Sequence, residues 1–159
     1  MKVLWAPWRM DFILRAREKT GPCIFCELPK QKKSPRNLIL HKGKKAFVIL
    51  NRYPYSNGHL MVVPKRHLEG LEKLTPSEHA ELGVLVTRSV AVLKKAFKPQ
   101  GFNIGMNLGR VAGAGIEDHV HTHVVPRWIG DASFMPVIGN SRVIPEALKE
   151  TYRKLARIF

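Results

Sequence analysis

The chain has 159 residues, 45% of them hydrophobic, which suits one soluble globular domain able to bury a core without disulfide staples. No run of about 18 apolar residues exists to span a membrane, and Met1-Lys-Val-Leu-Trp-Ala-Pro-Trp-Arg9 lacks the apolar stretch of a secretory signal, so a cytoplasmic protein is expected. Lysine and arginine outnumber aspartate and glutamate 27 to 12, and the formal net charge of +15 favours anionic partners, either nucleic acid or a small phosphorylated ligand. The runs Lys30-Gln-Lys-Lys33 and Lys42-Gly-Lys-Lys45 are equally compatible with a solvated, lysine-rich surface.

Residues 1–20 read as an aromatic, basic arm, with Trp5, Trp8 and Phe12 available to pack on the rest of the domain or on a partner subunit. A polar, proline-bearing loop follows at 29–37. Strands are expected over Asn37 to Leu40, Ala46 to Leu50 and Leu60 to Val63, the first two joined by the turn His41-Lys-Gly-Lys44, with antiparallel pairing. The clearest helix starts at Thr75-Pro-Ser-Glu78. Thr75 can cap, Pro76 fits the first helical position and Glu78 can close a capping box. Leu82, Leu85, Val86, Val92, Leu93 and Phe97 carry its buried stripe, and Lys94, Lys95 and Lys98 complement the dipole at its end. Phe102 to Asn107 alternates as a strand, Gly109 to Gly115 forms a loop, residues 119 to 125 form another strand, and Pro145 to Ile158 reads as a final helix.

Within that last strand, His119, His121 and His123 alternate. Strict alternation places three imidazoles on one face, with the β-branched Val120 and Thr122, and Val124, on the opposite, packed face. A neutral imidazole nitrogen is nucleophilic near pH 7, and the phosphoramidate it forms by attacking phosphorus remains activated toward a second acceptor. Gly109, Gly113 and Gly115 precede the triad, where they allow backbone amides to approach an anion. Taken alone, that loop reads first as a flexible hairpin connection. Cys23-Ile-Phe-Cys26 holds both cysteines of the chain, a pair that needs two further ligands to close a tetrahedral zinc site. A redox dithiol is the rival, without the expected βαβ context.

His119-Val-His-Thr-His-Val-Val125 resembles the signature of the histidine triad (HIT) family of nucleotide hydrolases and transferases. The resemblance extends through Phe47-Val-Ile-Leu-Asn-Arg-Tyr-Pro54 and Gly58-His-Leu-Met-Val-Val-Pro-Lys-Arg-His67, and so covers roughly residues 23 to 130. Leu4-Trp-Ala-Pro-Trp-Arg-Met10, Val111-Ala-Gly-Ala-Gly115 and Val125-Pro-Arg-Trp128 look most like the bacterial branch containing diadenosine tetraphosphate phosphorylases. The resemblance implies an α+β, HIT-like fold: a mainly antiparallel sheet of about five strands, one long helix and one C-terminal helix, in a single domain over 1–159 that forms a homodimer. It implies that His121 takes up the α-phosphoryl group as a nucleotidyl-histidine, that His123 contacts the phosphate and leaving oxygen, and that His119 completes the catalytic triad. His59 then lies beside the phosphates, Asn51 holds the ribose hydroxyls, and Asn107 lies near the phosphates. Gly113 and Gly115 supply amides to them. In some relatives a Cys-x-x-Cys knuckle is completed by a histidine after the Pro-Lys segment and by the first triad histidine, which nominates Cys23, Cys26, His67 and His119 for a structural zinc. Where many members carry a glutamine and a serine or threonine before the triad, this chain has Gly115 and Ile116, so backbone amides or another loop residue must serve the leaving group. The substrate implied is an adenine nucleotide or dinucleoside polyphosphate, with inorganic phosphate as acceptor. Water as acceptor, or a basic nucleic-acid-binding module, are the alternatives, the nucleic acid being the less favoured partner.

Overall fold

The computed structural model describes residues 21–131 and 144–159. The expected aromatic arm, with Trp5, Trp8 and Phe12, lies outside them. The described residues open on a single-turn helix α1 (Ile24–Glu27), continued by a 3-10 turn at Leu28–Lys30. Five strands follow, β1 (Ile39–Lys42), β2 (Ala46–Leu50), β3 (Leu60–Pro64), β4 (Gly101–Met106) and β5 (Thr122–Arg127), with helix α2 (Pro76–Phe97) between β3 and β4 and α3 (Leu148–Ala156) last. The strands form one antiparallel sheet in the order β1-β2-β3-β5-β4, as expected for the α+β class. No helix among the described residues is long and apolar enough to cross a membrane.

β2 and β3 are continuous apolar runs because both of their faces are covered, and every residue in them is buried. Cross-strand partners share a face, so Ile49, Met61 and His123 lie together on one side. Val48, Val62, Thr122 and Val124 take the other side, which α2 covers. Leu82, Leu85, Val92 and Leu93 of α2 are buried there, each contributing about 2 kcal/mol by removal from water. Val86 and Phe97, expected in the same stripe, pack at its margin.

The capping box is present: Thr75 Oγ1 accepts from the Glu78 N–H, and the Glu78 carboxylate accepts from the Thr75 N–H. The same carboxylate takes a two-pronged bond from Arg66, at 3.0 and 2.8 Å, pinning the segment that carries His67 to the start of α2. Arg66, and then the Thr75 N–H, hold the Glu78 carboxyl down to about 2.

Several boundaries differ from the sequence reading. β1 begins at Ile39 rather than Asn37, because Leu38 has a left-handed backbone (φ 62), and His41 and Lys42 belong to the strand rather than the turn. Regular pairing in the histidine strand begins at Thr122, after His119 and His121, and α3 is shorter than 145–158 at both ends. The tight turn before β3 depends on Gly58 (φ +74): a Cβ there would stand 3.0 Å from Leu93 Cδ2 and 3.2 Å from Phe97 Cε2, so glycine alone delivers His59 to the sheet in this position.

Candidate active site

His119, His121 and His123 are all buried, and Val120, Thr122 and Val124 are buried on the opposite face. The alternation thus holds through the stretch before regular pairing begins, yet the three imidazoles divide between two sites. His121 and His123 line a cleft of about 890 Å3 that includes its open mouth, while His119 lies outside it, against the cysteines.

Hydrogen-bond partners decide the tautomers, because a carbonyl oxygen only accepts. The Nδ1 of His121 is 2.9 Å from the His119 carbonyl oxygen. It therefore donates, and in the neutral ring the lone pair is left on Nε2. His59 is fully buried, and its Nδ1 accepts from the Tyr55 N–H at 3.1 Å, with the Asn51 amide nitrogen at 3.3 Å. The proton of His59 is then on Nε2, 2.9 Å from His123 Nδ1, which accepts it. His123 in turn keeps its own proton on Nε2. One ring presents a lone pair and its neighbour, 4.8 Å away between centroids, presents a donor, the two groups that attack on phosphorus with a departing oxyanion requires.

Around this pair the cleft is mostly apolar, with Ile24 and Phe25 of α1, Leu28 of the 3-10 turn that follows it, Ile49 of β2 and Met61 of β3 in its walls. Asn51, Gly113 and Gly115 line it. The Asn51 side-chain oxygen also accepts from the Tyr53 N–H at 2.9 Å, an Asx turn that fixes the amide at the strand end. Asn107 does not line the cleft. Its amide reaches the glycine loop instead, 3.5 Å from the Gly113 carbonyl oxygen, and Gly113 takes φ +90.

The second cluster joins residues distant in sequence. Cys23 Sγ and Cys26 Sγ lie 3.4 and 3.7 Å from His119 Nδ1, and Cys26 Sγ lies 3.4 Å from His67 Nδ1. All four ligand atoms fall within 4.8 Å of one another. Metal–sulfur and metal–nitrogen bonds of about 2.3 and 2.0 Å at a tetrahedral angle put sulfur and nitrogen roughly 3.5 Å apart, so the donor set matches a closed four-ligand site. His119 donates its Nε2 proton to the Pro64 carbonyl at 2.8 Å, leaving Nδ1 free of a proton on the cluster side, as a metal ligand must be. Burial pushes the His119 imidazole below its ordinary value, which favours that neutral form. Burial, and then the neighbouring Cys23, raise the Cys26 thiol, a tendency that a divalent cation reverses by stabilising thiolate. Asp118 stands behind His67, 4.0 Å from its Nε2.

The sequence reading did not nominate α1 or the aromatic residues after Asn51. Tyr55 packs on His59 and His123, at 4.6 and 5.8 Å between centroids, and Phe25 packs on His121 at 5.2 Å. The available signal was Phe25 itself, an apolar residue between two cysteines that were read for their thiols alone.

The HIT domain model matches residues 31–128, a span that holds both the cleft histidines and the glycine loop. The chain belongs to the HIT family. Among HIT relatives, it is 44% identical over 160 residues to the AP-4-A phosphorylase of Mycobacterium tuberculosis, a match spanning 96% of this chain and 82% of that protein. It resembles the crystal structure of a hypothetical histidine triad nucleotide-binding protein from Sulfolobus tokodaii, with TM-score 0.66, 33% identity and coverage of 86% and 88% of the two chains. A zinc-bound histidine triad family protein from Mycobacterium smegmatis matches with TM-score 0.67 and 27% identity, over 86% and 91% of the two chains.

Proposed function

We propose that this HIT protein is a nucleotidyltransferase acting on dinucleoside polyphosphates, most directly the phosphorolysis of diadenosine tetraphosphate to ATP and ADP. The observation that carries the reading is the His121 bond to the His119 carbonyl, which leaves the nucleophilic lone pair on a ring lining the cleft. In the first step Nε2 of His121 forms a bond to the α-phosphorus, and the bond from that phosphorus to its bridging oxygen breaks, releasing ATP and leaving AMP on His121. The Nε2–H of His123, held in that tautomer by His59, donates to the oxygen that gains charge. In the second step an oxygen of inorganic phosphate attacks the same phosphorus, the bond to nitrogen breaks, and ADP leaves with His121 restored.

Asn51 is assigned to the ribose hydroxyls, and Gly113 and Gly115 to the phosphates by their place in the cleft wall. Asn107 is assigned to holding the glycine loop. Cys23, Cys26, His67 and His119 are assigned to zinc, which when bound supplies a fixed structural cross-link; His119 serves the reaction by orienting His121 through its carbonyl. The reading places the protein in the cytoplasm, where both thiols stay reduced, and treats 1–159 as one HIT-like domain. It includes a homodimer through β4, an edge strand whose Asn103, Ile104 and Gly105 are exposed, near exposed Leu108 and Val111.

The test is product analysis with diadenosine tetraphosphate, with and without inorganic phosphate. ATP plus ADP only when phosphate is present is the expected result. AMP plus ATP at an undiminished rate without phosphate makes the protein a hydrolase, and no cleavage in either, with tight, salt-sensitive RNA binding, replaces the enzyme with a binding module. His121→Ala should abolish turnover while AMP still binds.

A further inference from the structure

Phe25 lies between Cys23 and Cys26 on α1 and is 1% exposed. Its ring centroid is 5.4 Å from that of His119, at 76°, and 5.2 Å from that of His121, at 57°. Phe47 of β2 also packs on it, edge to face, at 6.4 Å between centroids. The one ring thus packs against both the cluster histidine and the cleft histidine.

A helix of four residues has too few internal hydrogen bonds to hold itself, so the place of α1 is set by its side chains. Phe25 is the buried one, with the thiol of Cys26 on the same helix and that of Cys23 at its N-cap. An imidazole turns easily about its Cβ–Cγ bond unless packing stops it. The bond from Nδ1 to the His119 carbonyl pins one edge of the His121 ring, and the Phe25 ring bears on the imidazole from the α1 side.

We infer that Phe25 is a positioning residue that holds the His121 ring in its attacking orientation, kept in place by the cysteine on either side of it. The inference rests on the assignment of His121 as nucleophile. It gives the cluster a route to the nucleophile through an aromatic side chain, separate from the backbone route through the His119 carbonyl. Phe25 also forms part of the cleft wall, so the test has to separate ring orientation from nucleotide binding.

Formation of nucleotidyl-enzyme from diadenosine tetraphosphate is followed by rapid quench in the wild type and in Phe25→Leu, beside the Kd for AMP and the metal content of each. Phe25→Met, which keeps the bulk without the flat ring, serves if leucine leaves the protein unfolded. The expected result is adduct formation slowed by about tenfold or more, with metal content unchanged and the AMP Kd within about threefold. A wild-type rate of adduct formation, or a Kd that rises by the factor by which the rate falls, overturns the inference. For the cysteine clamp, removing metal from the wild type with a chelator should slow adduct formation, while removing it from Phe25→Leu should add less than about a twofold effect. Equal slowing of both proteins, or loss of AMP binding along with the metal, overturns the clamp. A wild type that forms no adduct defeats the assignment of His121 itself, an outcome distinct from an adduct that forms at full speed without Phe25.

Discussion

The Nε2 of His59 lies 2.9 Å from the Nδ1 of His123, across 64 positions of sequence, and the Tyr55 N–H on the far side of His59 sets the direction of that bond. With Nδ1 of His59 already accepting, Nε2 has to donate, and His123 is left with its remaining proton on Nε2. Replacing His59 by alanine frees His123 to adopt either tautomer. His59→Ala should lower kcat by about tenfold to a hundredfold with a smaller change in AMP binding, and His59→Gln, which retains a donor, should lose less. Steady-state kinetics with isothermal titration of AMP checks this, and a kcat unchanged in both variants would mean that the bond serves folding only.

The cluster of Cys23, Cys26, His67 and His119 predicts about one zinc per chain in protein purified without chelators, by the four-ligand arithmetic of a closed site. Cys23→Ser should lose the metal and lower the midpoint of thermal unfolding, because metal bound only in the folded state contributes folding free energy. Elemental analysis beside a melting curve provides the measurement. Metal-free wild type of full stability would remove zinc from the account.

Glu78 gives a pH signature. Its carboxyl is held down to about 2 from an ordinary 4.5, first by Arg66 and then by Thr75, so the folded state favours the ionised form. That contribution is fully present above pH 4.5 and is lost as the pH falls from 4.5 toward 2. Glu78→Gln should unfold at lower urea than the wild type at neutral pH and show a shallower loss of stability across the acid window. Parallel curves for the two proteins would show that the carboxylate is not linked to folding.

Thr122 carries a buried hydroxyl oxygen with no hydrogen-bond partner among the described residues. Thr122→Val keeps the branched shape that the strand prefers and removes the unmet polar group, so it should stabilise the fold by about 1 kcal/mol. Its side chain lies on the face opposite His123, and turnover should be unchanged. Urea denaturation reads the stability, and a loss of stability would point to a hydrogen bond made in solution.

Much of this protein was legible from local pattern. Thr75, Pro76 and Glu78 mark the start of α2 because capping is settled within one turn, and the alternation of His119, His121 and His123 places them on one face whatever surrounds the strand. Apolar runs identified β2 and β3 for the same reason. The start of β1 is not legible locally, because the left-handed backbone at Leu38 follows from no preference of leucine, and neither is α1, because one turn of helix has almost no periodicity to read.

What the tertiary structure decided is how the histidines are divided. Pairing of β3 with β5 brings Met61 beside His123, and the neighbouring contacts set His59 against His123 and the Pro64 carbonyl against His119. Those contacts fix the tautomers of His123 and His119, and with them which ring presents a proton and which turns toward the thiols, while the lone pair of His121 is set locally by the His119 carbonyl. That three imidazoles share a face follows from local spacing alone, since the side-chain period of an extended chain is a property of the backbone. The separate chemistries of His119 and His123 depend on partners dozens of residues away, and only the folded chain places those within hydrogen-bonding distance.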